Sequence, residues 1–203
     1  MNEIAATQRR ALGYWFVDGV AEIAGGTAIL ICGALLYAAV ATGIEQLGTL
    51  SLLVLIGAFP VTAWIVRKVK ERITYPRTGY VAYPPPSRAR RIVAAAVGFL
   101  AAGLIAPINA YVGGGKVSTV VLAFGLLVGA FTALRAWRTG APRFYVVAAA
   151  LVVVSGILAT NGVGIEDGIG LMLLIYGATL VTTGVWALAR YLRANDKPEG
   201  AAA

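Results

Sequence analysis

Apolar residues in this chain fall in long runs, not in the stripes of an amphipathic helix or the strict alternation of a half-buried strand. Six runs stand out, at 19–41, 47–66, 92–112, 117–134, 144–159 and 168–189. Each is close to the ~20 residues that a helix needs to cross ~30 Å of hydrocarbon. The spans of a transmembrane β-barrel would alternate in polarity over about ten residues, and these do not. The pattern predicts an all-α fold, a polytopic membrane bundle of six transmembrane helices over residues 19–190. An N-terminal interfacial segment (1–18) precedes it and a cytoplasmic tail (191–203) follows.

The polar positions sharpen this picture. The one long polar segment is 67–91, RKVKERITYPRTGYVAYPPPSRARR, which holds eight of the seventeen Lys and Arg residues. Together with the N-terminal tail, the loop 135–143 and the tail from Arg190, it accounts for sixteen of the seventeen. The opposite loops hold only Lys116, beside Glu45, Glu166 and Asp167. Basic loops stay in the cytoplasm during insertion, so the expectation is a multi-pass protein of the plasma or inner membrane with both termini inside. Residues 2–17 end in Tyr14-Trp15-Phe16 after Arg9-Arg10, the mark of a water–lipid boundary. Two readings fit them: a short interfacial helix with Ile4, Leu12 and Trp15 towards lipid, or a frayed tail ending in an aromatic anchor.

Composition then excludes several classes. Only 13% of residues are charged and 59% are hydrophobic, about half the charge of a soluble domain. The net charge of +8 sits in loops, which points to topology and to anionic lipid headgroups at the cytoplasmic face, not to nucleic acid. Cys32 is the sole cysteine and there is no His, so intrachain disulfides, cysteine metal clusters and histidine chemistry are out of reach. No cofactor and no metal are expected. A cleavable signal is not expected either, because no small-residue cleavage site follows the first apolar run.

The even-numbered runs end alike: Gly57-Ala58-Phe59 before Trp64 and Arg67, Gly129-Ala130-Phe131 before Trp137 and Arg138, and Gly177-Ala178-Thr179 before Trp186 and Arg190. The outer turns echo each other in Gly43-Ile44-Glu45 and Gly164-Ile165-Glu166. Nearly equal periods suggest three tandem helical hairpins, with residues 68–91 inserted between the first and second. Ordinary bilayer-spanning hairpins would have the same length, so duplication and coincidence both stand. Gly125 and Gly129 form a GxxxG, and Gly25, Gly26 and Gly33 mark the first run, small residues that suit close helix packing within the bundle.

Asp18 and Glu22 are four apart, on one face at the start of the first run. A carboxylate at membrane depth is costly, and so suggests a function. They are either a cation or proton site or a structural clamp, neutralised by Arg67, Lys68, Lys70 or Arg72. In the polar segment, Tyr75-Pro76 and Pro84-Pro85-Pro86 favour extended or polyproline geometry, and Gly79 permits a turn. An aromatic, basic strap is expected, with Arg72, Tyr75, Arg77 and Tyr80 as binding candidates. Arg77 is the leading candidate to reach Asp18, Glu22 or a lipid phosphate.

Two stretches, Trp15-Phe16-Val17-Asp18-Gly19-Val20-Ala21-Glu22 and Ile73-Thr74-Tyr75-Pro76-Arg77-Thr78-Gly79-Tyr80, resemble the motifs of a group of uncharacterised bacterial multi-pass membrane proteins. The resemblance covers roughly residues 14–83 and implies no activity. It implies that the two stretches belong together. Enzyme templates fail: there is no triad histidine, no HExxH and no Gly-rich phosphate loop ending in Lys-Ser/Thr, and Gly113-Gly114-Gly115-Lys116 reads as a turn. The expected function is a non-enzymatic membrane protein whose basic loop binds lipid or a protein partner, with a homo-oligomer as the other partnership left open. The alternatives are a small transporter or channel using Asp18 and Glu22, and a lipid-modifying enzyme with its site under the strap.

Overall fold

The computed structural model describes residues 15–78 and 117–195. The third apolar run and Tyr80 lie outside them. The described elements are all helical: α1 (Val20–Thr42), α2 (Glu45–Ile73), the single turn α3 (Tyr75–Thr78), α4 (Val117–Thr139), α5 (Arg143–Thr160) and α6 (Ile165–Ala194). α1, α4, α5 and α6 are each long and apolar enough to cross a membrane, and α2, counted as one bent span, makes a fifth. Their outward faces carry large apolar side chains, such as Leu52 at 63% and Ile56 at 74% exposure. Patches of that kind belong against lipid. Among the described residues the protein is all-helical, with four or five helices suited to span a membrane.

Each helix outlasts its apolar run, because the backbone stays helical into the polar boundary. The largest extension corrects the expected strap. α2 continues from the apolar run through Ile73, and α3 takes in Tyr75 and Pro76. The first part of the polar segment is therefore helical, not extended. The reason is a stripe at four-residue spacing, Val66, Lys70 and Thr74, all buried. These three have partners on neighbouring elements, while Arg67, Lys68, Glu71 and Arg72 face outwards. Pro76 is tolerated because it lies in the first turn of α3, where its missing N–H leaves no bond broken. Pro60 lies within α2, and the two parts of that helix, Glu45–Ala58 and Pro60–Arg77, are bent by 46°, as loss of an interior N–H donor predicts.

α1 and α6 form the most extensive interface, antiparallel and built on glycine. Gly19, Gly26 and Gly33 face Gly184, Gly177 and Gly170. A Cβ on Gly26 would sit 2.9 Å from the Gly177 carbonyl oxygen, and one on Gly177 would sit 2.6 Å from the Leu30 nitrogen. Both series repeat every seven residues, the period of left-handed close packing. Lipid supplies no hydrophobic drive between helices, so contact of this kind is what binds them. α4 and α5 form the second close antiparallel pair, with Gly129 against Val152. The GxxxG of α4 thus packs inside the bundle. α2 rests on α1, and α5 and α4 meet α6 more lightly. The closest pairs, α1–α6 and α4–α5, cut across the boundaries of the hairpin repeat. Val121, Leu151 and Met172 form one core cluster, and Ala136, Phe144, Val147 and Leu180 the other.

Candidate functional site: a double clamp on α1

Asp18, Gly19 and Glu22 begin α1. Gly19 takes φ +69°, a left-handed conformation open to glycine at little cost, and its Cβ-free surface lies against Gly184. That approach brings the start of α1 into the bundle beside α6, so both carboxylates are removed from solvent. Asp18 is fully buried and Glu22 is 2% exposed. A buried carboxylate is tolerable only with its oxygens satisfied, and each of these has its own cation.

Asp18 accepts three hydrogen bonds. Its Oδ1 takes the Val20 N–H at 3.1 Å, which caps α1 and places negative charge at the positive end of the helix dipole. Its Oδ2 takes Lys70 Nζ at 2.6 Å and Thr74 Oγ1 at 2.7 Å. Lys70 is itself 2% exposed. It also donates to the Trp15 carbonyl at 2.8 Å and lies 4.8 Å from the centre of the Trp15 ring. Behind this pair the Tyr191 hydroxyl of α6 reaches the Thr74 carbonyl at 3.4 Å. The first clamp therefore ties α1 to the extension of α2, with α6 at its back.

Glu22 takes a fork from the first residue of α5. Arg143 Nε donates to Oε2 at 2.8 Å and Nη2 to Oε1 at 2.5 Å, the bidentate geometry that suits guanidinium to carboxylate. Nη2 also donates to the Phe16 carbonyl. The Phe16 ring meets Phe144 edge-on at 5.6 Å. The second clamp ties α1 to α5. Between the clamps, Arg135 of α4 lays its guanidinium 4.3 Å from the Phe16 ring centre and 5.0 Å from that of Phe144.

Of the residues singled out in the sequence, Asp18, Glu22 and Lys70 meet at this site. Arg77, the expected partner of either, pairs with neither: its Nη1 donates back to the Ile73 carbonyl at 2.6 Å. The correction follows from α2 staying helical. Lys70 and Thr74, one turn apart, meet the Asp18 carboxylate, and Arg77 lies beyond the end of α2, in the turn α3. Arg72 is exposed and Tyr75 half-buried. Arg143 was not foreseen. Its signal was a cation opening an apolar run directly before Phe144, but nothing in the chain says which helix stands opposite. Among the described residues no three carboxylates or thiols converge as a metal site. With each carboxylate paired to its own buried or nearly buried cation, the site can hold helices together.

Against this geometry the comparisons with known proteins are silent: no family model, no curated protein and no solved structure matches the chain.

Proposed function

We propose that this is a non-enzymatic protein of the bacterial plasma or inner membrane, six spans in three hairpins, with both termini in the cytoplasm. In this reading its clamp end is the cytoplasmic end and presents a basic surface to anionic lipid headgroups. The observation that carries it is the fate of the charges. Asp18 and Glu22 are each closed by a buried or nearly buried cation, while Arg67, Arg72, Arg138, Arg190 and Arg193 stand exposed at the same end. The carboxylates thus build the platform and the outer cations face the leaflet. Each such cation near an anionic surface is worth about 1 kcal/mol, with strong salt dependence. The motif pairing of the first run with the polar segment supports the same reading, since Asp18 and Thr74 belong one to each stretch and touch.

Transport through Asp18 and Glu22 is the competing use of these groups, and one experiment separates the two. The full chain carries an environment-sensitive fluorophore at Ser87→Cys and is reconstituted into vesicles of phosphatidylcholine with or without phosphatidylglycerol, loaded with a pH dye. A blue shift that needs phosphatidylglycerol and disappears at high salt, with no protein-dependent proton flux, supports the proposal. A flux lost in Glu22→Gln, or emission indifferent to lipid charge, overturns it.

A further inference from the structure

Beside the clamp, α1 and α2 flank an open-sided cleft of about 380 Å³, which Tyr176 and Leu180 of α6 also line. Gly25 and Ile29 of α1 and Leu55, Ala58 and Val66 of α2 line it, with Arg135 at the same cleft. The bend at Pro60 falls within its length. A Cβ on Gly25 would meet nothing within 4 Å, so the space is open there. From Leu55 to Val66 the helix rises about 16 Å, half of the ~30 Å hydrocarbon core. The cleft is mostly apolar over the depth of one leaflet, with Thr62 and Tyr176 as polar side chains along it.

Its polar end has a charge to spare. Glu22 and Arg135 line that end, and the two carboxylates of the clamp, Asp18 and Glu22, stand against three cations, Lys70, Arg143 and Arg135. The first two cations are taken by ion pairs. Arg135 is held in place by the rings of Phe16 and Phe144 and donates no hydrogen bond to any described residue. A guanidinium has five N–H donors in a fork that fits a phosphate. A long, mostly apolar cleft ending in a guanidinium that is positioned by two rings and donates to no described residue fits an acyl chain with an anionic phosphate head.

We infer that the cleft holds a single anionic phospholipid of the clamp-side leaflet, its phosphate on Arg135 and one acyl chain between α1 and α2. This goes beyond a basic surface attracting many headgroups, because the lipid is stoichiometric and its chain lies in a cleft between two helices. It stands independently of what the exposed cations do.

The test uses the full chain in phosphatidylcholine bilayers containing phosphatidylglycerol with a photoactivatable acyl chain. Peptide mapping locates the label, and native mass spectrometry counts retained lipid. The expected result is one phosphatidylglycerol per chain, with label on residues 25–29 and 55–63. Arg135→Gln should lower retention about tenfold or more, as loss of charge-assisted hydrogen bonds implies, and Arg135→Lys should lower it less. Gly25→Leu keeps every cation and fills the open space, so it should abolish labelling of the cleft even if Arg135→Gln fails to fold. Arg67→Gln with Arg72→Gln should leave the retained lipid in place. Labelling spread evenly over outward residues such as Leu52 and Ile56, or equal retention of phosphatidylcholine, overturns the inference. So does a high-yield disulfide between Ala58→Cys and a cysteine placed in 92–112, which would make the chain's own third apolar run the occupant.

Discussion

Removing the Lys70 ammonium should be among the most damaging single changes in the protein. Lys70→Met keeps most of the side-chain volume and leaves Asp18, fully buried, with only the Val20 N–H and the Thr74 hydroxyl as donors. Breaking one side of a buried ion pair costs about 3–5 kcal/mol. Two surviving hydrogen bonds to the carboxylate place this case near the lower bound, about 3 kcal/mol. Asp18→Asn is expected to cost a similar amount, since Lys70 would retain only the Trp15 carbonyl and the ring beside it. The double variant has no unpaired charge. It should cost about 3 kcal/mol in total, not 6, a coupling of about 3 kcal/mol.

Unfolding in mixed micelles with rising denaturing-detergent fraction measures these values, followed by far-ultraviolet circular dichroism and by tryptophan emission. Coincidence of the two probes checks that one transition is being read. Trp15 is a local reporter, because its ring lies over Lys70. The same cycle with Arg77→Ala in place of Lys70→Met should be additive within about 0.5 kcal/mol, because Arg77 does not touch Asp18. Additivity in the Lys70 cycle, or a large coupling in the Arg77 cycle, would refute the clamp.

The second clamp predicts that Arg143→Met and Glu22→Gln each destabilise by about 3 kcal/mol and that Arg143→Lys, which loses the fork, recovers only part of the loss in the same assay. Gly177→Ala should cost about 1–3 kcal/mol by overpacking against Leu30 and Gly26, whereas Gly57→Ala, with nothing within 4 Å of the new methyl, should gain a few tenths to 1 kcal/mol. Reporter fusions ending at Lys116 and Asp167 should be external and one ending at Arg138 internal; the opposite pattern at any of them removes the assigned orientation.

Much of the fold was legible because membrane spans are written in one dimension. Helix-length apolar runs mark α1, α4, α5 and α6 to within a few residues, and Pro60 marks the bend in α2. The helix extension to Ile73 was harder to read, because Arg67-Lys68-Val69-Lys70-Glu71-Arg72 looks like a loop until Val66, Lys70 and Thr74 are taken as one face. The glycine interface was readable in principle. Gly19, Gly26 and Gly33 and Gly170, Gly177 and Gly184 are two seven-residue series, but their meaning depends on facing each other, and more than a hundred residues separate them. The same limit applies to the site. Asp18 and Glu22 announce themselves as carboxylates at an apolar boundary, yet the choice of Lys70 over Arg77, and of Arg143 over any nearer cation, is made by which helices are neighbours.

That neighbourhood explains why the charges sit where they do. The glycine interface brings the α1 and α6 backbones together from Gly19 to Tyr37, so the start of α1 is drawn inside the bundle. Once there, Asp18 and Glu22 need cations, and a bundle held by glycine contacts has few other polar anchors to fix α2 and α5 against α1. One carboxylate fixes each. Asp18 fixes α2 through Lys70 and Thr74, and Glu22 fixes α5 through Arg143. Glycine packing sets how close α1 and α6 come, and the ion pairs set which helices stand around them. Because both clamps lie at one end, loosening them should free α2 and α5 at that end while the α1–α6 contact persists. Hydrogen exchange in the clamp variants should therefore rise in residues 67–78 and 143–147 and stay slow around Gly26 and Gly177. Uniform acceleration across all helices would mean that the clamps hold the whole bundle and that the glycine interface does not stand without them.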